Sequence, residues 1–330
     1  MTHARDDFDC ETADGWRLHV VRTRRAGGSD PTRRPLLIVP GYGMNGFIFG
    51  FHPRGTSLEA HLAESGIEVW TANLRAQGRS RATTKRAATP TLEGYARHDL
   101  PALVDLVLRQ TASRGATRVD VLGASLGGSI TFAHLALTPG HRVGSLVAVG
   151  SPLVWRDVPA VLRVPFASRR LAGALPIRGT RRIASLVLPI VRHAPGLLGM
   201  YMNASHVDLD AASELVRTVE DPVPAVNRDL AAWMKNGDLV LGDVNVTRAL
   251  GRERGPLLTV LSNRDGIVPE RSALSAGEAW GGDDVTTLRI GDDADWYAHA
   301  DLFVGNDAPA RVFDPIARWL AERSGGGGPA

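Results

Sequence analysis

Cysteine is almost missing: Cys10 is the sole one in 330 residues. A single thiol excludes an internal disulfide, and no metal-site spacing surrounds it, so Cys10 reads as an ordinary strand residue. Long apolar runs are missing as well. No window approaches the roughly 18 apolar residues of a membrane-spanning helix, and the opening M-T-H-A-R-D-D-F-D has no apolar signal core. The expected compartment is the cytoplasm. Excess charge is slight, since 38 Lys+Arg stand against 35 Asp+Glu, and a nucleic-acid partner is not expected. No Gly-Lys-Ser/Thr occurs, which excludes a phosphate loop. Internal repeats are missing, and low complexity is confined to a tail at 324–330, expected to be disordered.

What is present alternates between strand and helix. Residues 7–12 and 16–23 read as a hairpin about Asp14-Gly15. Residues 35–39 form an apolar run suited to a strand covered on both faces. Thr56 and Glu59 suggest a capping box for a helix ending at Gly66. A strand over 67–72 follows, then a helix over 92–110, with Pro101 marking a first turn or a break. Further strands are read at 119–122, 145–149, 256–261 and 285–290, with helices at 126–137, near 227–235, and at 309–322. This rhythm predicts an α/β fold: an eight-stranded, mostly parallel, doubly wound sheet. At Pro152 the rhythm fails. Residues 152–225 lack strand signals and suggest a helical cap, with amphipathic runs such as 183–191. Residues 152–205 hold eight Arg against one acid, Asp157. The expected organisation is core 1–151, cap 152–225, core 226–323 and tail 324–330.

The stretch Val119-Asp-Val-Leu-Gly-Ala-Ser-Leu-Gly-Gly-Ser-Ile130 centres the reading. Strand, tight turn and helix with Ser125 at the apex form a G-x-S-x-G nucleophile elbow. Gly123 and Gly127 flank the serine because a strained turn tolerates no bulk there. A dinucleotide turn competes at this position, but Ser125 stands where the second glycine would be needed. The loop Pro40-Gly-Tyr-Gly-Met-Asn-Gly46 follows an early strand, where an oxyanion hole is built in such folds. The N–H groups of Tyr42 and Leu126 are the candidate donors. Gly43, Met44 and Ser151 are candidate pocket residues.

The order Ser125, Asp265, His299 is the one that accompanies the elbow, with separations of 140 and 34 residues. Each follows an expected strand, so all three converge on one sheet edge. Asp243 is the alternative acid, without a strand end to hold it. Asp292, Asp293 and Asp295 match no metal-loop spacing and read as a solvated turn. His98, Asp99 and His134 read as helix packing or surface residues. Asp301, two residues past His299, is suited to ordering its loop.

With these pieces in place the chain resembles the α/β-hydrolase superfamily over nearly its whole length, from Trp16 to about Arg323. The matching segments are V-P-G-Y-G, N-L-R-A-Q-G-R-S, G-A-S-L-G-G, N-R-D-G-I-V-P and H-A-D-L-F-V-G. The stretch S-L-E-A-H-L-A-E-S-G-I-E-V-W-T-A-N-L-R is similar to the lipase and esterase branch, including acid-lipase-like members. Polyester synthases carry Cys at the elbow, and epoxide hydrolases and dehalogenases carry Asp, where this chain has Ser125. Pro40-Gly41 replaces the His-Gly of many members and leaves the donors.

The resemblance implies acyl transfer through a covalent ester on Ser125. His299 would act as base and Asp265 as its orienting acid, with no metal or other cofactor. The expected substrate is a small ester with an apolar portion. An acyltransferase and a non-catalytic binding protein of the same fold remain open. The basic, apolar cap also suits peripheral contact with an anionic membrane.

Overall fold

Short apolar, β-branched runs pair into one large sheet. The computed structural model describes residues 3–174, 178–191 and 199–324. Its principal strands are β1 (His3–Glu11), β2 (Trp16–Arg25), β3 (Leu36–Val39), β4 (Val69–Ala72), β5 (Val119–Ala124), β6 (Val143–Val149), β7 (Leu257–Ser262) and β8 (Val285–Ile290). They lie in the order β1-β2-β4-β3-β5-β6-β7-β8. β2 is antiparallel to both neighbours, and every other adjacent pair is parallel. Arg81–Ala82 adds a short edge to β2, and Val240–Leu241 pairs with Val244–Asn245 in a separate ribbon. Pieces of two residues carry no periodicity to read.

Side-chain alternation places two cores on the two faces of the sheet. Leu37 and Val39 of β3 enter one core, Leu36 and Ile38 the other. Leu146 and Ala148 of β6 oppose Val147 and Val149 in the same way. Helices Leu100–Thr111, Leu126–Leu137, Pro224–Asn236 and Glu270–Ala279 cover the first face. Leu58–Glu64 and Asp314–Ser324 cover the second.

Local chemistry shifts two expected boundaries. The helix expected to open at Thr56 is capped by Ser57, whose Oγ accepts from the Ala60 N–H at 3.3 Å. Glu59 does not return to the cap. It is buried, accepting from Thr23 Oγ1 at 2.9 Å and pairing with Arg5 at 3.1 Å. Pro101 lies just inside Leu100–Thr111, after a π-helical turn at Tyr95–Asp99. Proline cannot donate to the Arg97 carbonyl, and the wider turn absorbs the mismatch.

Between β6 and Pro224–Asn236, the described residues hold the short helices Ala160–Arg163, Arg169–Gly173, Thr180–Val191 and Ala212–Leu215. Their β-structure is limited to isolated bridges from Val219 to Met44 and from Val154 to Asp238. Residue 225, the expected end of the cap, lies in the first turn of Pro224–Asn236. Arg192 of the basic run and residues 325–330 of the expected tail lie outside the described residues. Among the described residues no helix is long and apolar enough to cross a membrane.

The junction between β5 and Leu126–Leu137 is packed backbone against backbone. A Cβ on Gly123 would stand 2.4 Å from Gly128 Cα, and one on Gly127 would stand 2.2 Å from the Val39 carbonyl oxygen. Neither neighbour is a flexible side chain that could yield. Gly127→Ala is therefore expected to lower unfolding free energy by about 3 kcal/mol. Urea titration followed by circular dichroism checks this, and an unchanged midpoint contradicts the packing argument.

Candidate active site

Parallel strands deliver their carboxyl ends to one edge of the sheet. Pro40 follows β3, Ser125 follows β5, Gly150 follows β6, and the loops bearing Asp265 and His299 follow β7 and β8. Ser125 has φ 52° and ψ −121°, which a residue with a Cβ adopts only at a cost. Its N–H donates to the Val149 carbonyl at 2.7 Å. Its side chain is partly exposed, whereas Ala124 and Leu126 are buried.

Asp265 is almost fully buried and engages three donors. Its Oδ1 accepts from the N–H groups of Ile267 and Val268, both at 2.8 Å. Its Oδ2 lies 2.6 Å from His299 Nδ1. In the tautomer with the hydrogen on Nδ1, donated to this carboxylate, Nε2 is left as the acceptor. His299 stands over Gly150: a Cβ there would meet His299 Cε1 at 2.9 Å. Ala124 pairs with Val149 across β5 and β6, so Ser125 and Gly150 are lateral neighbours. Among the described hydrogen bonds none joins Ser125 Oγ to His299. The structure thus brings Asp265 and His299 into contact and leaves Ser125 beside them, unbonded.

The loop after β3 packs on the elbow. A Cβ on Gly41 would lie 2.9 Å from the Ala124 carbonyl oxygen and 3.0 Å from Ser125 Cβ. The N–H groups of Tyr42 and Leu126 have no backbone acceptor among the described residues. Asn45 N–H donates to Thr218 and Glu220 N–H to Gly43, at 2.9 and 2.8 Å, which pins the loop to the segment before Pro224–Asn236. Gly41 to Gly46 also has the spacing of a dinucleotide fingerprint. The chain then enters the 3₁₀ turn Gly46–Gly50, not a long helix whose N-terminus could hold a pyrophosphate.

Two recesses meet at Tyr42 and Leu126. One of about 440 Å³ opens on Ser125 and is lined by Trp155, Leu162, Phe166, Trp233 and Met234 among others. The second, about 350 Å³, includes Gly43, Gln77 and Glu220. Of the expected pocket residues, Gly43 therefore lines a recess. Met44 packs against the second core, and neither it nor Ser151 lines the recesses described. Ser151 is 0% exposed, and its hydroxyl donates to the Gly123 carbonyl at 3.2 Å. Just past the strand end, its side chain turns back beneath the elbow, against Gly128.

Asp243 sits at the exposed tip of the small ribbon. Asp292 caps its own turn through the Ala294 and Asp295 N–H groups, and Asp295 pairs with His206 at 2.8 Å. Burial lowers His134 to about 4, which keeps it neutral. Burial pushes the Cys10 thiol up to about 12, so it is no thiolate nucleophile. Asp99 forms a buried pair with Arg75 at 2.6 Å.

The family model described as alpha/beta hydrolase fold matches residues 34–296. The chain belongs to the α/β-hydrolase family. It is similar to triacylglycerol lipase 2 of Arabidopsis thaliana, with 32% identity over 142 residues, 40% of this chain and 33% of that protein. Similarity to human lipase member K is 28% over 145 residues, 41% of this chain and 35% of that protein. These matches span about a third of the length of either relative. Solved structures share the fold along the chain. A soluble variant of monoglyceride lipase from Saccharomyces cerevisiae gives a TM-score of 0.66 at 15% identity, covering 98% of this chain and 96% of that one. A thermophilic esterase from Thermogutta terrifontis gives 0.62 at 16%, covering 97% and 99%.

Several residues around this α/β-hydrolase site escape sequence reading. Gly150 makes room for His299, Trp155 and Trp233 wall the apolar recess, and Tyr201 places its ring 6.1 Å from His299. Asn227 lies among the buried apolar residues of Pro224–Asn236. It is 2% exposed, and its Oδ1 accepts from the Tyr42 hydroxyl at 2.6 Å. Tyr42 is 36% exposed, yet burial around its hydroxyl pushes the phenol up to about 12, so it remains a donor.

Asp301 ties the His299 loop to residues 201–203. Its carboxylate accepts from the Ala298 N–H at 2.7 Å and the Asn203 N–H at 3.0 Å. Burial raises it to about 6, against about 4 in an unfolded chain. Between those values the native state keeps a proton that the unfolded state releases. The resulting stability is full below about pH 4 and is lost as pH rises through about 6. Asp301→Asn removes this titration, so its thermal midpoint should fall less than that of the wild type across this window. Calorimetry at several pH values tests it, and parallel profiles contradict it.

Proposed function

We propose that the protein is a serine hydrolase of carboxylic esters that carry an apolar portion. The observation that carries this reading is a strained, accessible Ser125 with the bonded pair His299–Asp265 beside it and an apolar recess opening on it. Ser125 Oγ attacks the ester carbonyl carbon while its proton passes to His299 Nε2. Rotation about the Ser125 Cα–Cβ bond brings the hydroxyl to the imidazole when substrate binds, as free-state catalytic hydrogen bonds are often long. The carbonyl π electrons move onto oxygen, facing the Tyr42 and Leu126 N–H groups. Losing one such donor typically costs about 3 kcal/mol of transition-state stabilisation. Collapse of the intermediate breaks the ester C–O bond, and the alcohol leaves with the proton from His299. Water, deprotonated by His299, then releases the acid from Ser125. Asp265 holds the imidazole tautomer and stabilises the imidazolium.

Residues 152–225 act as a cap in this reading. Trp155, Leu162 and Phe166 supply one wall of the recess, where the apolar part of the substrate loses its hydration. The arginines of this segment, with exposed Val164 and Leu186, also suit contact with an anionic membrane.

Turnover of p-nitrophenyl esters of graded acyl length tests the proposal. Ser125→Ala should lower kcat by about 10⁶-fold, and Asp265→Asn by about 10⁴-fold. A fluorophosphonate should label Ser125 in the wild type, as read by peptide mass. Undiminished turnover in Ser125→Ala removes the nucleophile. Absence of both turnover and labelling favours the binding-protein reading. Preferential transfer of the acyl group to an added alcohol favours the acyltransferase reading.

A further inference from the structure

Tyr42 stands between Gly41 and Gly43, and Gly43 has φ +63°. Glycines on both sides give the chain little local reason to hold one orientation of the Tyr42 peptide. An oxyanion donor is useful only when its N–H already points at the developing charge. The Tyr42 side chain supplies an anchor. Its hydroxyl donates to Asn227 Oδ1 at 2.6 Å, and its ring meets Phe166 edge-on at 6.4 Å. Asn227 Nδ2 in turn donates to the Ala172 carbonyl at 3.2 Å. One buried amide thus joins the oxyanion loop, the helix Pro224–Asn236 and the helix Arg169–Gly173.

Packing alone does not ask for asparagine there. Val226, Leu230 and Ala231 on the same helix are buried apolar residues. A buried amide costs stability unless both ends are satisfied, and here both ends are spent on holding Tyr42 to the inserted segment. We propose that Asn227 is a positioning residue: the Gln77 amide already holds the carbonyl of this peptide at 3.2 Å, and Asn227, through the Tyr42 hydroxyl, supplies the second hold that sets the direction of the Tyr42 N–H and couples the inserted helices to transition-state binding. This rests on the ester-hydrolase reading above.

Tyr42→Phe keeps the ring and removes only the anchoring hydroxyl. Its kcat on a p-nitrophenyl ester should fall about tenfold or more, with KM within about twofold of the wild type. Affinity for a trifluoromethyl ketone, which forms a tetrahedral oxyanion on the serine, should weaken by the factor by which kcat/KM falls. Asn227→Ala should behave alike, and the double variant should be no worse than Asn227→Ala alone, because both remove one linkage. Wild-type kcat and ketone affinity in Tyr42→Phe overturn the inference. So does a loss confined to KM, or two losses that multiply in the double variant. If Asn227→Ala does not fold, Tyr42→Phe decides by itself. Failure of the underlying reading looks different: Ser125→Ala then keeps full turnover, or the wild type neither turns over nor labels, and this inference falls with it. An enzyme that depends on Ser125 but is indifferent to Tyr42→Phe overturns this inference alone.

Discussion

The helix Leu126–Leu137 approaches β3 and β5 so closely that hydrogen is the only side chain tolerated at Gly123 and Gly127. That approach forces the turn between them and leaves Ser125 at positive φ. Strain of this kind costs roughly 1–3 kcal/mol and survives only where the surroundings over-determine it. Here they do. The Ser125 N–H is bonded to Val149, and the helix behind it is buried along almost its whole length. Ser125 is left partly exposed there, between buried Ala124 and Leu126.

Around this turn, polar groups are held by other polar groups already satisfied. Asp265 is fixed by two backbone donors before it meets His299. Arg75 is fully buried and pairs with Asp99 and Asp14, which ties the loop after β4 to the N-terminal hairpin and the helix behind it. Buried charges persist only when so paired. The anchored loop then presents Gln77, whose amide donates to the Gly41 carbonyl at 3.2 Å. The loop after β3 is thereby held by Gln77 at the Gly41 carbonyl, along its backbone by Thr218 and Glu220, and through the Tyr42 side chain by Asn227.

The sheet was legible because strands covered on both faces are written as apolar runs, as in Leu36–Val39 and the Leu-Val-Ala-Val at 146–149. The hairpin was legible from Asp14-Gly15, and Gly15 has φ +92°. The placement of Ser125, Asp265 and His299 at one edge was legible because each follows a strand, and parallel strands end at one edge. The cap of Leu58–Glu64 was misread because Glu59 met Thr23 and Arg5, partners distant in sequence. The burial of Ser151 beneath Gly128 was not legible because its direction depends on how the chain leaves β6. Gly150, Trp233 and Asn227 carry no local pattern that points to the site.

By itself the sequence determined the principal strands and core helices and, to within a few residues, their ends, since apolar periodicity, turn residues and glycine spacing act within a few neighbouring positions. It therefore also determined that an alcohol, an imidazole and a carboxylate share one edge. Only the tertiary structure decided the walls of the recess, the support of the loop after β3 and the partner of each buried polar group. Those contacts join segments far apart along the chain, and their energies depend on distances of a few tenths of an ångström that no local pattern encodes.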